Sequence, residues 1–100
     1  MKKQTMIYYF IGIGGVGMSA LARLCLLEGN KVLGYDRIHS KVTDELEKEG
    51  IPIIYQDTVE AMPSEVLDVQ TKIIYTAAIK GGHPQLNYFI KNNFSVKKRA

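Results

Sequence analysis

The residues best placed to do chemistry are the run Gly12-Ile13-Gly14-Gly15-Val16-Gly17, and what they offer is main-chain N–H groups. A short apolar run, Met6 to Ile11, precedes them, and an apolar helical pattern follows at once. A strand, a glycine turn and a helix start, in that order, present backbone donors to a phosphate. Gly12 allows the tight turn, and Gly14 lets a pyrophosphate reach the main chain without meeting a Cβ. Gly17 lets the helix pack close against the strand. The helix N-terminus adds a partial positive charge, which favours an anion by about 0.3–1 kcal/mol at an exposed site. A bare G-x-G-x-x-G is weak evidence, and the bland alternative is a turn that only reverses the chain. Here the strand and helix context that the motif demands is present.

Asp36 ends the next apolar segment, close to the ~20-residue offset at which an acid meets a ribose hydroxyl in such folds. That suits a nucleotide with free ribose hydroxyls; the alternative is a solvated turn aspartate. Arg37 beside it reaches a phosphate or base, or is simply solvated. Thr76 offers a hydroxyl at the same sheet edge or caps the turn that follows it. His39 and His83 are far apart in sequence and lack partners at metal-ligand spacing, so no zinc site is expected. His83-Pro84 reads as a helix entry with proline at the first helical position. Cys25, the single cysteine, reads as a buried structural thiol. The chain has no G-x-x-x-x-G-K-[ST] loop for ATP and no nucleophile–base pair of recognisable spacing. By motif it binds and does not catalyse: no catalytic residue and no metal are expected on it.

The elements that position these residues alternate strand and helix. Met6–Ile11 is a strand. A helix runs from Gly15 or Val16 to Glu28, with Met18, Leu21, Ala22, Cys25 and Leu26 on one face. Gly29-Asn30 ends it, and Lys31–Tyr35 is a second strand whose Gly34 suits a close approach to another backbone. Ser40 or Thr43 caps a polar helix through Glu49, stopped by Gly50. Ile51–Tyr55 is a third strand, placed at an edge by Pro52. In residues 57–70, Thr58 caps a short helix that Pro63 interrupts. Lys72–Thr76 is a fourth strand, a loop Ala77–Gly82 follows, and a helix covers His83–Asn92. Asn93 turns the chain, and Phe94–Val96 begins a fifth strand. The sum is a Rossmann-like, three-layer α/β domain over residues 1–100, with a parallel sheet ordered 3-2-1-4-5. A ligand then sits at the C-terminal strand ends, among the loops Gly12–Gly17, Asp36–Ser40, Gln56–Thr58 and Ala77–Gly82.

A hydrophobic fraction of 46% is ordinary for a globular domain, and 100 residues suit one domain. The net charge of +3 sits mostly at Lys2, Lys3, Lys97, Lys98 and Arg99. Those read as solvated ends; no aromatics interleave with a basic stripe, so no nucleic-acid partner is expected. The apolar runs are strand-length, so no membrane span is expected and the chain reads as cytoplasmic. It stops just after the fifth strand begins, so a larger protein is expected around it.

Through Gly12-Ile13-Gly14-Gly15-Val16-Gly17-Met18-Ser19-Ala20-Leu21-Ala22 the chain closely resembles the amino-terminal domain of the Mur ligases. These build the peptidoglycan stem peptide of the bacterial cell wall. A Gly-Gly pair followed by Gly-Met-Ser is more specific than the general dinucleotide fingerprint, and it resembles the family member that adds L-alanine. The likeness continues through Gly34-Tyr35-Asp36, Ile73-Ile74-Tyr75-Thr76-Ala77-Ala78-Ile79 and His83-Pro84-Gln85-Leu86 to Lys98-Arg99-Ala100. It implies a three-domain, ATP-dependent ligase whose first domain holds the UDP part of UDP-N-acetylmuramate. A central domain binds ATP and magnesium, and a third binds the amino acid. The reaction passes through an acyl phosphate that L-alanine attacks. On this resemblance the present chain is the first domain, inactive alone and with no cofactor of its own. Carried over by position, Gly14, Gly15, Val16, Gly17, Met18 and Ser19 contact the diphosphate, with Gly12 at the turn. Asp36, with Arg37 beside it, and Thr76, Ala77 and Ala78 flank the ribose and uracil. Where the family often has Gly-His after strand three, this chain has Tyr55-Gln56-Asp57; where it often has paired serines after strand four, this chain has Thr76-Ala77.

Two other readings share the glycine loop and Asp36: an NAD-binding domain of a dehydrogenase, and a nucleotide-sensing regulatory module like those that gate potassium transport. Gly15, Met18, Ser19 and the Thr76–Lys80 segment favour the ligase. A ligase that recycles a murein tripeptide usually lacks the Val-Gly-Met-Ser run.

Overall fold

Alternate residues of the first strand enter two different cores, and that alternation sets the layers. In β1 (Ile7–Ile11), Tyr9 and Ile11 join one core and Phe10 the other. The computed structural model describes residues 5–79 and 81–99. Lys2 and Lys3, read above as solvated, lie outside them, as do Lys80 of the loop after the fourth strand and the terminal Ala100.

The remaining strands are β2 (Lys31–Tyr35), β3 (Ile53–Ile54), β4 (Lys72–Thr76) and β5 (Ser95–Arg99). All pair in parallel, in the order β3-β2-β1-β4-β5. This is the doubly wound α/β fold with the strand order expected from the sequence. The helices α1 (Val16–Leu27) and α2 (Lys41–Lys48) cover one face, where Met18, Ala22, Cys25 and Leu46 pack on Phe10, Val32 and Ile53. On the other face, α3 (Pro84–Lys91) brings Leu86 and Phe89 against Tyr9, Leu33 and Ile73. Two short 3-10 turns, Val59–Ala61 and Ser64–Leu67, add Met62 and Val66 to that core. Thr58 Oγ1 caps the first by accepting from the Ala61 N–H at 3.3 Å. Pro63 separates the two.

Helix α2 starts with a capping box. Ser40 Oγ accepts from the Thr43 N–H at 3.3 Å, and Thr43 Oγ1 accepts from the Ser40 N–H at 2.8 Å. Both residues named from the sequence therefore act together. Strand β3 is shorter than Ile51–Tyr55. Pro52 has no N–H, and the Ile51 N–H donates to Leu46 O at 3.1 Å to close the end of α2. The paired stretch is left at Ile53–Ile54, on the sheet edge as Pro52 required. Strand β5 runs on to Arg99, further than the Phe94–Val96 start read from the sequence.

Gly34 meets a side chain and not the backbone expected of it. A Cβ there would stand 2.5 Å from Ile13 Cδ1, because Ile13 of the glycine turn drops into the space over β2. Ile13 is fully buried.

Candidate functional site

The order of the sheet reverses at β1, whose neighbours β2 and β4 lead away to opposite sides. The crevice at the C-terminal ends of these strands is where open α/β sheets bind ligands. The glycine turn enters it under tight constraint. The Gly12 and Ile13 N–H groups donate to Tyr35 O at 2.8 and 3.0 Å. The Gly15 N–H donates back to Gly12 O at 3.1 Å. Gly12 has a φ of +91°, and a Cβ there would lie 2.8 Å from Thr76 Cγ2. Two independent constraints thus select glycine at this position.

Gly14 behaves differently from the sequence reading. Its N–H donates to Asp36 Oδ2 at 2.7 Å, and Asp36 Oδ1 accepts from the Ile38 N–H at 3.0 Å. A Cβ on Gly14 would come within 2.8 Å of Asp36 Oδ2 and 3.1 Å of Thr43 Cγ2. Glycine is needed here so that the Asp36 carboxylate can close over the turn. The donors left for an anion are those of the first turn of α1. Gly15 is its N-cap and supplies no side-chain hydrogen bond, and no acidic residue stands in that turn. Val16 is 92% exposed there. By contrast, Ser40 caps α2 and His83 caps α3.

Gly17 faces the side chain of Arg99, the last residue of β5. The Arg99 Nε donates to Gly17 O at 3.3 Å, and a Cβ on Gly17 would lie 2.9 Å from the guanidinium. The register of β5 on β4 places Arg99 beside Thr76, at the same strand ends.

A cavity of about 730 Å³ opens over this edge. The sequence-selected Gly12, Gly14, Gly15, Asp36, Arg37, Thr76 and Ala78 all line it. Val16, Gly17, Met18, Ser19 and Ala77 are not on its wall. Met18 is packed in the core at 2% exposure, and buried Ser19 donates from Oγ to Val16 O at 3.2 Å. Ala77 is exposed beside the wall. Thr76 Oγ1 accepts from the Ala78 N–H at 3.4 Å, the turn-capping alternative.

The other wall comes from Ile38, Ser40, Asp57, Ile79, Gly81 and Gly82, in the loops that the sequence placed at the strand ends, and from Tyr35, His83 and Pro84, which sequence reasoning did not select for the site. His83 is the most chemically distinctive of them. Its Nδ1 accepts from the Leu86 N–H at 3.5 Å, which leaves the proton of the neutral ring on Nε2. Nε2 is buried with no hydrogen-bond partner among the described residues. The ring meets Tyr35 edge-on at 5.0 Å. Burial lowers the His83 pKa below its ordinary value, against an opposing pull from the Asp57 charge. Burial likewise raises the Tyr35 phenol, helped by Asp57 and Asp36. The signal for His83 was legible in His83-Pro84 as a helix entry; that this helix opens onto the cavity required the topology.

His39 comes within 3.8 Å of both Asp44 and Glu47, partners that sequence spacing did not reveal. None of the three lines the cavity. No helix among the described residues is long and apolar enough to cross a membrane.

Residues 7–100 match the profile described as "Mur ligase family, catalytic domain". The chain is similar to the UDP-N-acetylmuramate–L-alanine ligase of Flavobacterium johnsoniae, at 47% identity over 92 residues, 92% of this chain and 20% of the relative. It is 46% identical over 102 residues to the enzyme of the same name from Parabacteroides distasonis, covering 100% of this chain and 22% of the relative. The crystal structure of UDP-N-acetylmuramate-alanine ligase from Thermotoga maritima superposes with a TM-score of 0.82 at 29% identity, over 94% of this chain and 21% of that one. The chain spans about a fifth of the length of the curated relatives it matches. The family profile, the strand order and the glycine turn agree: this chain belongs to the Mur ligase family.

Proposed function

We propose that this chain is the amino-terminal domain of a UDP-N-acetylmuramate–L-alanine ligase and binds the UDP part of UDP-N-acetylmuramate. The observation that carries this reading is the cavity at the switch point, with the uncapped first turn of α1 on one side. Its volume lies within the usual ~300–1,000 Å³ of small-molecule sites. The diphosphate takes the N–H groups of the first turn of α1, beside the glycine turn. Gly12, Gly14 and Gly15 line the wall beside it, and Arg37 offers a positive charge on the same wall. Asp36, Thr76 and Ala78 face the ribose and base, with Ala77 in the same loop. Met18 contributes its main-chain N–H, because its side chain turns into the protein; Ser19 supports the turn from behind, its N–H donating to Gly15 O at 2.9 Å and its hydroxyl to Val16 O.

In the whole ligase the reaction joins L-alanine to the sugar nucleotide with ATP hydrolysis, as a cytoplasmic step of peptidoglycan synthesis. ATP and magnesium are held by another domain, since this chain has no P-loop. The chain alone neither hydrolyses ATP nor ligates alanine. Ligand-observed NMR with UDP, UDP-N-acetylmuramate, NAD and ATP tests the reading. A response to both uridine nucleotides is expected. A response to NAD alone overturns it in favour of a dehydrogenase domain, and a response to ATP alone favours a nucleotide-sensing module.

A further inference from the structure

We infer that Gln85 is a positioning residue that ties together two parts of the cavity wall: the Gln56–Thr58 segment, which carries Asp57, and the start of α3, which carries His83. The inference rests on the nucleotide-site reading above and adds to it what holds the nucleoside end of that site in shape.

Gln85 is wholly buried, although glutamine is mostly an exposed residue. Tyr9 of β1 is wholly buried too, and its phenol donates to Gln85 Oε1 at 2.8 Å. Gln85 Nε2 donates to Gln56 O at 2.9 Å and to Thr58 O at 3.1 Å. The amide therefore has its oxygen and both its N–H groups engaged. Such a fully satisfied buried network fixes geometry, whereas a partly satisfied one is costly.

The Gln56–Thr58 segment needs this support. It leaves β3, whose ladder ends at Ile54, so no strand pairing holds it. Gln85 grips the carbonyls on either side of Asp57, and Asp57 itself is exposed on the cavity wall. His83 and Pro84, immediately before Gln85, form the neighbouring wall. Helix α3 lies on the sheet face opposite α1. With the diphosphate at α1, the wall that Gln85 holds is left for the nucleoside. Gln85 then governs how tightly a nucleoside is held, and leaves phosphate binding alone.

The test compares the parent protein with Gln85→Met and Tyr9→Phe. UDP and inorganic pyrophosphate are each titrated, and amide hydrogen exchange is followed at Asp57 and Thr58. Gln85→Met is expected to bind UDP about tenfold more weakly, the order for one or two lost buried hydrogen bonds. Its pyrophosphate affinity stays unchanged, and exchange at Asp57 and Thr58 speeds up. Tyr9→Phe, which removes one oxygen and carries the test if Gln85→Met does not fold, shifts the same readouts by less. Equal UDP affinity in parent and variants overturns the inference, as does an equal loss for both ligands, which marks a general structural role. If the parent binds no UDP, the nucleotide reading has failed. Exchange at Asp57 and Thr58 then still decides on Gln85: faster exchange supports its hold on the segment and unchanged exchange overturns it.

Discussion

The Gly14 N–H and the Asp36 carboxylate are joined at 2.7 Å, so the glycine turn and the end of β2 form one hydrogen-bonded unit. A valine at position 14 pushes its branched side chain into both Asp36 and Thr43. Gly14→Val is expected to cost roughly 1–3 kcal/mol of stability, as overpacking does, and to abolish measurable UDP binding in a chain that still folds. Titration calorimetry with UDP and circular dichroism check both halves. A folded variant that binds UDP like the parent would show that the turn only reverses the chain.

Asp36→Asn keeps an oxygen to accept from one main-chain N–H but loses the charge that strengthens both bonds. Charge-assisted bonds are roughly twice as strong as neutral ones, so a loss of about 1 kcal/mol in urea unfolding is expected. UDP binding weakens less than in Gly14→Val. A larger loss in Asp36→Asn would mean that the carboxylate itself meets the ligand.

Gly34→Ala places a methyl group 2.5 Å from Ile13 Cδ1 and 2.9 Å from Ile13 Cβ. Neither atom can retreat easily from a fully buried side chain. The expected destabilisation is about 1–3 kcal/mol, read from the urea midpoint. Ile13→Val alongside Gly34→Ala recovers part of it if the clash is the cause.

His83 titrates at a lower pH folded than its ordinary value of 6.5. Below about pH 6.5 the unfolded chain therefore binds a proton that the folded chain refuses. Stability from this group is fully present above that pH and falls as pH drops toward the folded value. His83→Asn keeps a capping side chain at the start of α3 and removes the titration. The urea midpoint of the parent should fall more steeply than that of His83→Asn between about pH 7 and pH 5. Parallel profiles would place the parent's pH dependence elsewhere.

Local chemistry made much of this legible. Ser40 and Thr43, Thr58, and His83 before Pro84 mark helix starts by side-chain types that satisfy free N–H groups, and each does so here. Pro52 gave the edge of the sheet, though its missing N–H also shortened β3 beyond what the apolar run Ile51–Tyr55 suggested. The site was half legible. Gly12, Gly14 and Asp36 carry a spacing signature, and Asp57 lies in the Gln56–Thr58 loop that the strand order put at the ligand edge, but Tyr35 and His83 reach the same cavity only because the chain crosses the sheet. Nor does any local pattern connect Tyr9 to Gln85, which are 76 residues apart. The Gly34 contact had the right residue and the wrong partner, since a short glycine strand does not say which side chain will cross it.

Ile13 stands inside the glycine turn yet belongs to the core, seated where Gly34 leaves its socket. A turn of this kind cannot flap on its own hinge. To open, it must draw a buried isoleucine out of the sheet and break the bonds from Gly12 and Ile13 to Tyr35 O. Its motion is therefore coupled to the cooperative unfolding of β1 and β2, not to the fast local fluctuations common in surface loops. A diphosphate bound as proposed would meet a turn that is already in shape, with little ordering entropy opposing its binding.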